Sequence, residues 1–299
     1  MRRVRRGWQN ACVAAFTAAL IIMGPGMGQA QDKGPNTGRV SLGMGVDFTT
    51  HYFFRGILQE NQDYIIQPYG EVTFKLLEGE GALTGLGFTL GLWNSLHGGP
   101  SGVDGAASVD PKIWYEADFY AKLTATLFED LTVAMIYTAY MSPNDRFATV
   151  EEIALSFAYN DSKLLGAFAV NPNVLIAFET DGQADAGLDE GVYLQIGLTP
   201  GYTFNDKGTY PLSLTLPMVL GLSLSDYYER VGVGGDDDTF GYFSIGLAAG
   251  VPLKFVPASY GAWTAKASLT FITLGDNMKA ANNGDRSEFI GTFGIAMTY

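Results

Sequence analysis

From Val40 onward, apolar and polar residues alternate with a period of two. The stretch 113–128 shows this most clearly. Tyr115, Ala117, Phe119, Ala121, Leu123, Ala125 and Leu127 share one face, and Glu116, Asp118, Tyr120, Lys122, Thr124 and Thr126 share the other. A helix would scatter these charges around its axis, whereas a strand separates them. The same reading puts Val40, Leu42, Met44, Val46 and Phe48 on the outer face of a strand over 40–55. Ser41, Gly43, Gly45, Asp47, Thr49, His51 and Arg55 fall on its inner face. In 212–227 the leucines and Met218 occupy alternate positions, and Pro211 and Pro217 argue against a helix. The pattern predicts about twelve strands: 40–55, 64–76, 84–96, 113–127, 131–141, 151–160, 167–180, 190–204, 212–227, 239–255, 261–275 and 287–299. Asn171-Pro172-Asn173 interrupts the seventh. A strand crossing a lipid core at a tilt of ~40° needs roughly ten residues, and most of these runs reach that.

The links alternate in length. Short ones fall near 78–81, 129–130, 161–162, 205–208 and 256–258, and mostly longer polar ones over 57–63, 97–112, 142–150, 183–189, 229–238 and 276–286. Short turns at one end and long loops at the other are the topology of an outer-membrane barrel with both termini in the periplasm. Aromatics gather near strand ends. Tyr52-Phe53-Phe54, Trp93, Trp114-Tyr115, Tyr137, Tyr140, Tyr227-Tyr228 and Tyr242-Phe243 lie toward the loop end. Phe74, Phe128, Tyr159, Tyr202, Phe204, Phe255, Tyr260, Trp263 and Tyr299 lie toward the other. Two belts at the bilayer interfaces are the reading that fits. The expected fold is an all-β, up-and-down transmembrane barrel over 40–299.

Composition agrees. Only 16% of the 299 residues are charged, with 38 glycines and 35 tyrosines plus phenylalanines. Residues 1–30 read as a signal peptide: Arg2, Arg3, Arg5 and Arg6, an apolar run over 11–23, and a small-x-small site at Gly28-Gln29-Ala30. Residues 31–39 read as a periplasmic leader. The one cysteine, Cys12, lies inside the signal, so disulfide and thiolate chemistry are not expected of the mature chain. Cleavage removes four arginines and no acid, taking the formal charge from −13 to −17. So acidic a chain lacks the basic footprint of a nucleic-acid partner.

The segment Phe48-Thr49-Thr50-His51-Tyr52-Phe53-Phe54-Arg55-Gly56-Ile57-Leu58-Gln59 resembles the first strand and loop of the TorF-type putative porins. Tyr52, Phe54, Arg55, Gly56, Ile57 and Gln59 carry the match, while Thr50-His51 replaces Ser-Asp and Leu58 replaces a serine. Gln67-Pro68-Tyr69 and Gly91-Leu92-Trp93-Asn94-Ser95 resemble the family's next two strands. The resemblance covers about the first sixty mature residues. It implies an outer-membrane porin and carries over no catalytic residue.

Several residues are candidates for lumen chemistry. Asp47, His51 and Arg55 recur at four-residue spacing on one face, with Gln67, Tyr69 and Glu71 expected opposite. Glu116, Asp118 and Lys122 share the inner face of their strand. The assigned walls carry Asp47, Glu71, Glu116, Asp118 and Glu288 against Arg55, Lys75, Lys122, Lys254 and Lys266, which is balanced. Such a set serves either as a constriction or as a bracing network. At the mouth, acids prevail: Asp104, Asp110, Asp185, Asp189, Glu229 and Asp236-Asp237-Asp238 outweigh Lys112, Arg146 and Arg230. The triplet lacks the ligand spacing of a calcium loop, and Gly232-Val233-Gly234 lacks the context of a nucleotide loop. Gly294, Met297 and the terminal Tyr299 match the pattern read by the barrel assembly machinery.

The expectation is a porin-like channel in outer-membrane lipid, passing small solutes or ions, with no cofactor or metal. Two alternatives are a filled barrel with a structural, adhesion or envelope-assembly role, and a barrel lipid hydrolase. A hydrolase needs a nucleophile beside a histidine. Only His51 and His97 exist, with His97 in a glycine-rich loop that reads as a flexible tip.

Overall fold

A computed structural model describes Asn36 and residues 38–99, 113–229 and 236–299. Residues 1–30, expected to be a signal peptide, most of the expected leader, Asp104, Asp110, Lys112, Arg230 and Gly232-Val233-Gly234 lie outside the described residues.

In chain order the elements are β1 (Val40–Thr49), β2 (Tyr52–Phe54), β3 (Ile57–Glu60), β4 (Ile65–Glu78), β5 (Leu83–His97), β6 (Trp114–Leu127), β7 (Leu131–Met141) and β8 (Val150–Tyr159). A short helix α1 (Ser162–Leu165) precedes β9 (Asn173–Asp181), β10 (Val192–Leu198), β11 (Gly201–Phe204), β12 (Leu212–Thr215), β13 (Met218–Ser225), β14 (Phe240–Pro252) and β15 (Ala262–Leu274). The helix α2 (Asp276–Ala281) and β16 (Ser287–Thr298) complete the chain.

Fourteen of the sixteen strands form one antiparallel sheet. It closes through β1 on β16 and β14 on β15. β10 and β11 are one crossing broken at Thr199-Pro200, and β12 and β13 another broken at Leu216-Pro217. Proline cannot donate to the ladder, which is why the neighbouring crossings share this break. The barrel thus has twelve crossings. Among the described strands of this sheet only β11 keeps a single partner, so closure pairs most of the wall's backbone groups without water.

The strand ends differ from the sequence reading in identifiable places. The first crossing stops at Thr49, and 52–60 leave the wall as the separate hairpin β2–β3. The seventh starts at Asn173, after the proline, and 162–168 coil into short helical turns instead. Lys254 lies in the turn after β14, where its ammonium donates to the carbonyl of Gly208 at 3.1 Å, so it does not belong to the inner wall. A bulge between β5 and β6 sets Ser95 opposite Glu116 and Leu96 opposite Trp114. That extra residue turns Tyr115 inward, off the apolar face on which strict alternation placed it.

The outer surface is apolar. Leu92, Met135, Leu247 and Leu269 are each more than half exposed in mid-strand. Each such side chain gains roughly 1.5–3 kcal/mol on leaving water, so this surface matches hydrocarbon. Phe128, Tyr202, Phe204, Phe255 and Tyr260 ring the end at which β1 begins and β16 ends. The loop-end belt read from the sequence is largely a different thing. Tyr52, Phe53, Phe54, Trp93, Tyr115, Tyr140, Tyr227, Tyr228 and Tyr242 are buried inside the barrel. Alternation cannot tell an outward ring from a lumen-filling ring when aromatics occur on both faces.

Tyr299 joins the seam between first and last strands. Its amide donates to the Leu42 carbonyl and accepts in return from the Leu42 amide through its own carbonyl, both at 2.8 Å. Gly294 sits against Asp47 so closely that a Cβ would collide with its carboxylate and with the carbonyl of Val46. Deleting Tyr299 removes both seam bonds, a loss of about 1–3 kcal/mol. The expected outcome is a lower fraction of folded, heat-modifiable protein on unboiled gels, and an unchanged fraction would show the seam bonds to be dispensable.

Candidate functional site

The hairpin β2–β3 lies inside the loop half of the barrel. Its two-residue turn, Arg55-Gly56, has φ of 48° and 89°. Positive φ at both central positions is the hairpin turn whose twist matches its strands. Gly56 is required twice over, because a Cβ there would press on the Tyr242 ring at 3.1–3.3 Å. Tyr52, Phe53, Phe54, Arg55, Ile57, Gln59 and Glu60 are all buried, so the segment fills the bore and does not project from it.

Arg55 fixes the tip to the far wall. Its guanidinium donates two bonds to Glu152 on β8, at 2.6 and 2.8 Å, and a third to the Tyr227 hydroxyl at 2.8 Å. It lies 4.3 Å from the centroid of Tyr193 on β10, and 5.1 and 5.4 Å from those of Phe54 and Tyr227. The Tyr228 hydroxyl donates to the Arg55 carbonyl at 2.9 Å. A planar guanidinium serves all these contacts at once, which an ammonium cannot do. The flanks are held as well. Tyr52 donates to Glu116 on β6 at 2.8 Å and leans on Trp93 at 5.4 Å. Phe54 meets Tyr140 edge-on at 5.1 Å, and Tyr115 donates to the Gln59 amide oxygen. Over the hairpin, α2 packs its buried Met278.

The candidate lumen residues separate into distinct groups. Arg55 joins neither Asp47 nor His51, because the chain leaves the wall after Thr49. Asp47 pairs instead with Lys266 on β15 at 2.9 Å, and Lys266 also donates to Tyr69 at 3.0 Å. Gln67, Tyr69 and Glu71 stand opposite Asp47, Gly45 and Gly43 on β1. Gln67 reaches Ser95, and Glu71 accepts from Tyr120 at 2.7 Å. The Lys122 ammonium lies 5.9 Å from the Tyr120 ring. His51 faces Glu288 at 4.0 Å and Thr50 at 2.9 Å. Glu116 and Asp118 are buried side by side on one strand face.

Glu152, Tyr193, Tyr227 and Tyr228 were missing from the sequence reading of the site. Glu151-Glu152 in a strand requires one of the two to face inward, and that was the available signal. Nothing in the sequence pairs it with Arg55, 97 residues away.

The bore has two unlike halves. The loop half is filled by the hairpin and its aromatic neighbours. Toward the termini, Thr73, Gly87, Thr124, Thr126, Thr132 and Ser156 line the inner face, and these small residues remain partly exposed. A cavity of about 450 Å³ opens above the hairpin, lined by Phe54, Gln59, Tyr115, Glu116, Tyr140, Arg146 and Phe147 among others. On another side, beside Phe53, Arg55, Gly56 and Tyr242, only about 40 Å³ is free.

The acidic triplet at the mouth serves mainly as a clasp. Asp237 accepts from the Ser223 hydroxyl at 2.8 Å and the Tyr228 amide at 3.0 Å, and Asp238 accepts from the Asn277 amide at 2.8 Å. Asp236 is exposed. Asp185 and Glu229 bind two loops together: Asp185 accepts from the Glu229 amide at 2.7 Å, and Glu229 from the Leu188 amide at 2.5 Å.

His97 is buried, not a loop tip. It stacks on Tyr115 at 4.4 Å, and its Nε2 is 2.7 Å from the Ser95 hydroxyl. This is the nucleophile–histidine pair a hydrolase would need. Ser95 is fully buried, however, with Gln67 on its oxygen and Tyr52 of the hairpin edge-on to the imidazole. As folded, the pair braces the hairpin floor and offers no approach to an acyl group.

No family model matches the chain, and no curated protein matches it. Among solved structures it is similar to the NanC porin, at 9% identity and a TM-score of 0.41 over 86% of this chain and 98% of that one. It is similar to an outer-membrane channel from Pseudomonas putida F1, at 15% identity and a TM-score of 0.48 over 90% and 98%. The β domain of the Bordetella autotransporter BrkA gives 10% identity and a TM-score of 0.42 over 88% and 99%. None of these similarities assigns a solute or a partner to this chain.

Two outcomes follow from this geometry. Arg55→Ala leaves Glu152 charged and unpaired in a dry site, a cost of about 3–5 kcal/mol. Release of the hairpin relieves that cost, so limited proteolysis of the folded variant should cut within 50–64, where the parent resists. Equal resistance would show that the ion pair does not hold the hairpin. Arg55→Lys should give intermediate cutting, because it keeps the charge but loses the fork. The second outcome concerns pH. Burial pushes the Asp185 carboxyl up to about 6. A raised folded value means that the folded loop binds the proton more tightly than the unfolded one. Its stability is therefore greatest below the ordinary carboxylate range and falls as pH rises through about 6. Hydrogen exchange over 183–190 should be slower at pH 5 than at pH 7 after correction for intrinsic rates, and Asp185→Asn should flatten that difference.

Proposed function

We propose that this chain is an outer-membrane channel whose bore is narrowed by its own first loop. In this reading residues 1–30 direct export, the assembly machinery reads the Gly294–Tyr299 end, and the strands meet lipid. The observation that carries the reading is a folded-in hairpin latched by one arginine, inside a barrel whose other half is lined by small polar residues. A wall of threonine, serine and glycine leaves room for water, and a plugged entrance above it gives a constriction. The short Tyr52–Gln59 resemblance to TorF-type porins agrees with this role. The passing species are small ions or solutes. Buried acids near the constriction, Glu116, Asp118, Glu152 and Glu179, outnumber Arg55 and Lys122, so the path favours cations.

A filled, structural barrel is the second reading. What favours it is the completeness of the aromatic packing around the hairpin. Planar-bilayer recording separates the two. The channel reading expects small, cation-preferring currents from the parent protein, with a preference that fades between 0.01 M and 1 M KCl as the Debye length falls from ~30 to ~3 Å. It expects several-fold larger currents from Arg55→Ala/Glu152→Ala, which removes both latch charges. Silence from both, with folding verified by heat modifiability, would establish the filled barrel.

A further inference from the structure

Every other buried acid of the loop half has donors. Glu152 has Arg55, Glu179 has the amides of Ala184 and Gly191, Glu60 those of Gln62 and Asp63, and Asp185 those of Gly187 and Glu229. Glu116 and Asp118 differ. They project from one face of β6, two residues apart, and are 4% and 2% exposed. Tyr52 supplies one hydroxyl, to Glu116. Both carboxylate oxygens of Asp118 are buried without a hydrogen-bond partner. Two acceptor-only groups side by side repel one another, and a buried carboxylate without a counter-charge costs several kcal/mol. Among the described residues no cation forms an ion pair with either carboxylate.

We propose that the Glu116–Asp118 pair binds a hard divalent cation, Mg²⁺ or Ca²⁺, that keeps part of its water. The charge balances, since two carboxylates and one divalent ion are neutral together. The ligand type fits, because hard cations take carboxylate oxygens and Mg²⁺ commonly binds through one or two carboxylates while retaining several waters. Among the described residues no three metal-type side chains converge, so water must complete the shell. An entry route exists, because Glu116 lines the 450 Å³ cavity that opens between the loops. A single proton is the competing occupant, and it leaves one of the two charges uncompensated. The site also ties the hairpin to the wall through Tyr52, so the bound ion supports the base of the hairpin, two strands along the wall from the Arg55–Glu152 latch at its tip. This last point rests on the channel reading, but the binding itself does not.

Trp93 stands directly opposite Asp118 in the strand register, so it can sensitise a lanthanide bound there. The test is a Tb³⁺ titration of the full-length folded protein in detergent, exciting tryptophan and reading Tb³⁺ emission. The proposal expects saturable emission, competed by Ca²⁺ and Mg²⁺. Affinity should fall at least tenfold in Asp118→Asn and in Glu116→Gln, and stay unchanged in Asp236→Asn at the exposed mouth. Emission that is absent from the parent, or equal in parent and Asp118→Asn, overturns it. Absent emission together with a more heat-stable Asp118→Asn variant would show the pair to hold a proton. None of these readouts needs a current, so a silent channel and an empty site remain separate results.

Discussion

One ion pair in a dry lumen sets the arrangement of the loop half. Arg55 could not be buried without Glu152, nor Glu152 without Arg55, since either alone is an isolated charge away from water. Their fork at 2.6 and 2.8 Å draws the first loop across the bore. Tyr193, Tyr227 and Tyr228 then close around the guanidinium and its carbonyl. The strained turn at Arg55 persists because these partners over-determine it. Replacing both charges by apolar groups of similar shape would cost less than removing one. The pair therefore specifies where the hairpin goes more than it adds to stability.

The closed sheet makes this possible. A barrel of twelve crossings has an interior wide enough to need filling at one level and to remain watered at another. Bulky inward residues sit at the loop end, and glycine, serine and threonine sit toward the termini. The interior of one wall thus changes character within the length of a single strand. On β6 the inner face runs from buried Glu116, Asp118, Tyr120 and Lys122 to partly exposed Thr124 and Thr126. The loops add a second layer, with Asp185, Glu229, Asp237 and Asp238 accepting backbone amides that would otherwise lie unpaired under the mouth.

The barrel was legible in the sequence because alternation is a direct image of a two-faced wall. The β6 and β7 crossings match their sequence readings to within a residue. The hairpin was not legible for the same reason. His51, Tyr52, Phe53, Phe54 and Arg55 continue the alternation of β1, so periodicity extended the strand straight through them. The signal that mattered was Arg55-Gly56 as a two-residue turn, and arginine is an unusual occupant of a left-handed position. Long-range pairings such as Arg55 with Glu152 or Asp47 with Lys266 depend on barrel closure and register, which local pattern does not encode. Tyr115 was misplaced by a bulge, and His97 by a glycine-rich neighbourhood that in fact follows a strand end where Ser95 and His97 point into the barrel and are buried.

The most direct measurement is hydrogen exchange of the folded protein over residues 52–60. If the hairpin occupies the bore, these amides should exchange as slowly as those of β4 and β5, in spite of lying in a loop by sequence. Exchange within seconds, at the rate of an unstructured peptide, would contradict the folded-in hairpin and with it the constriction, the latch and the ordering of the tyrosines around Arg55.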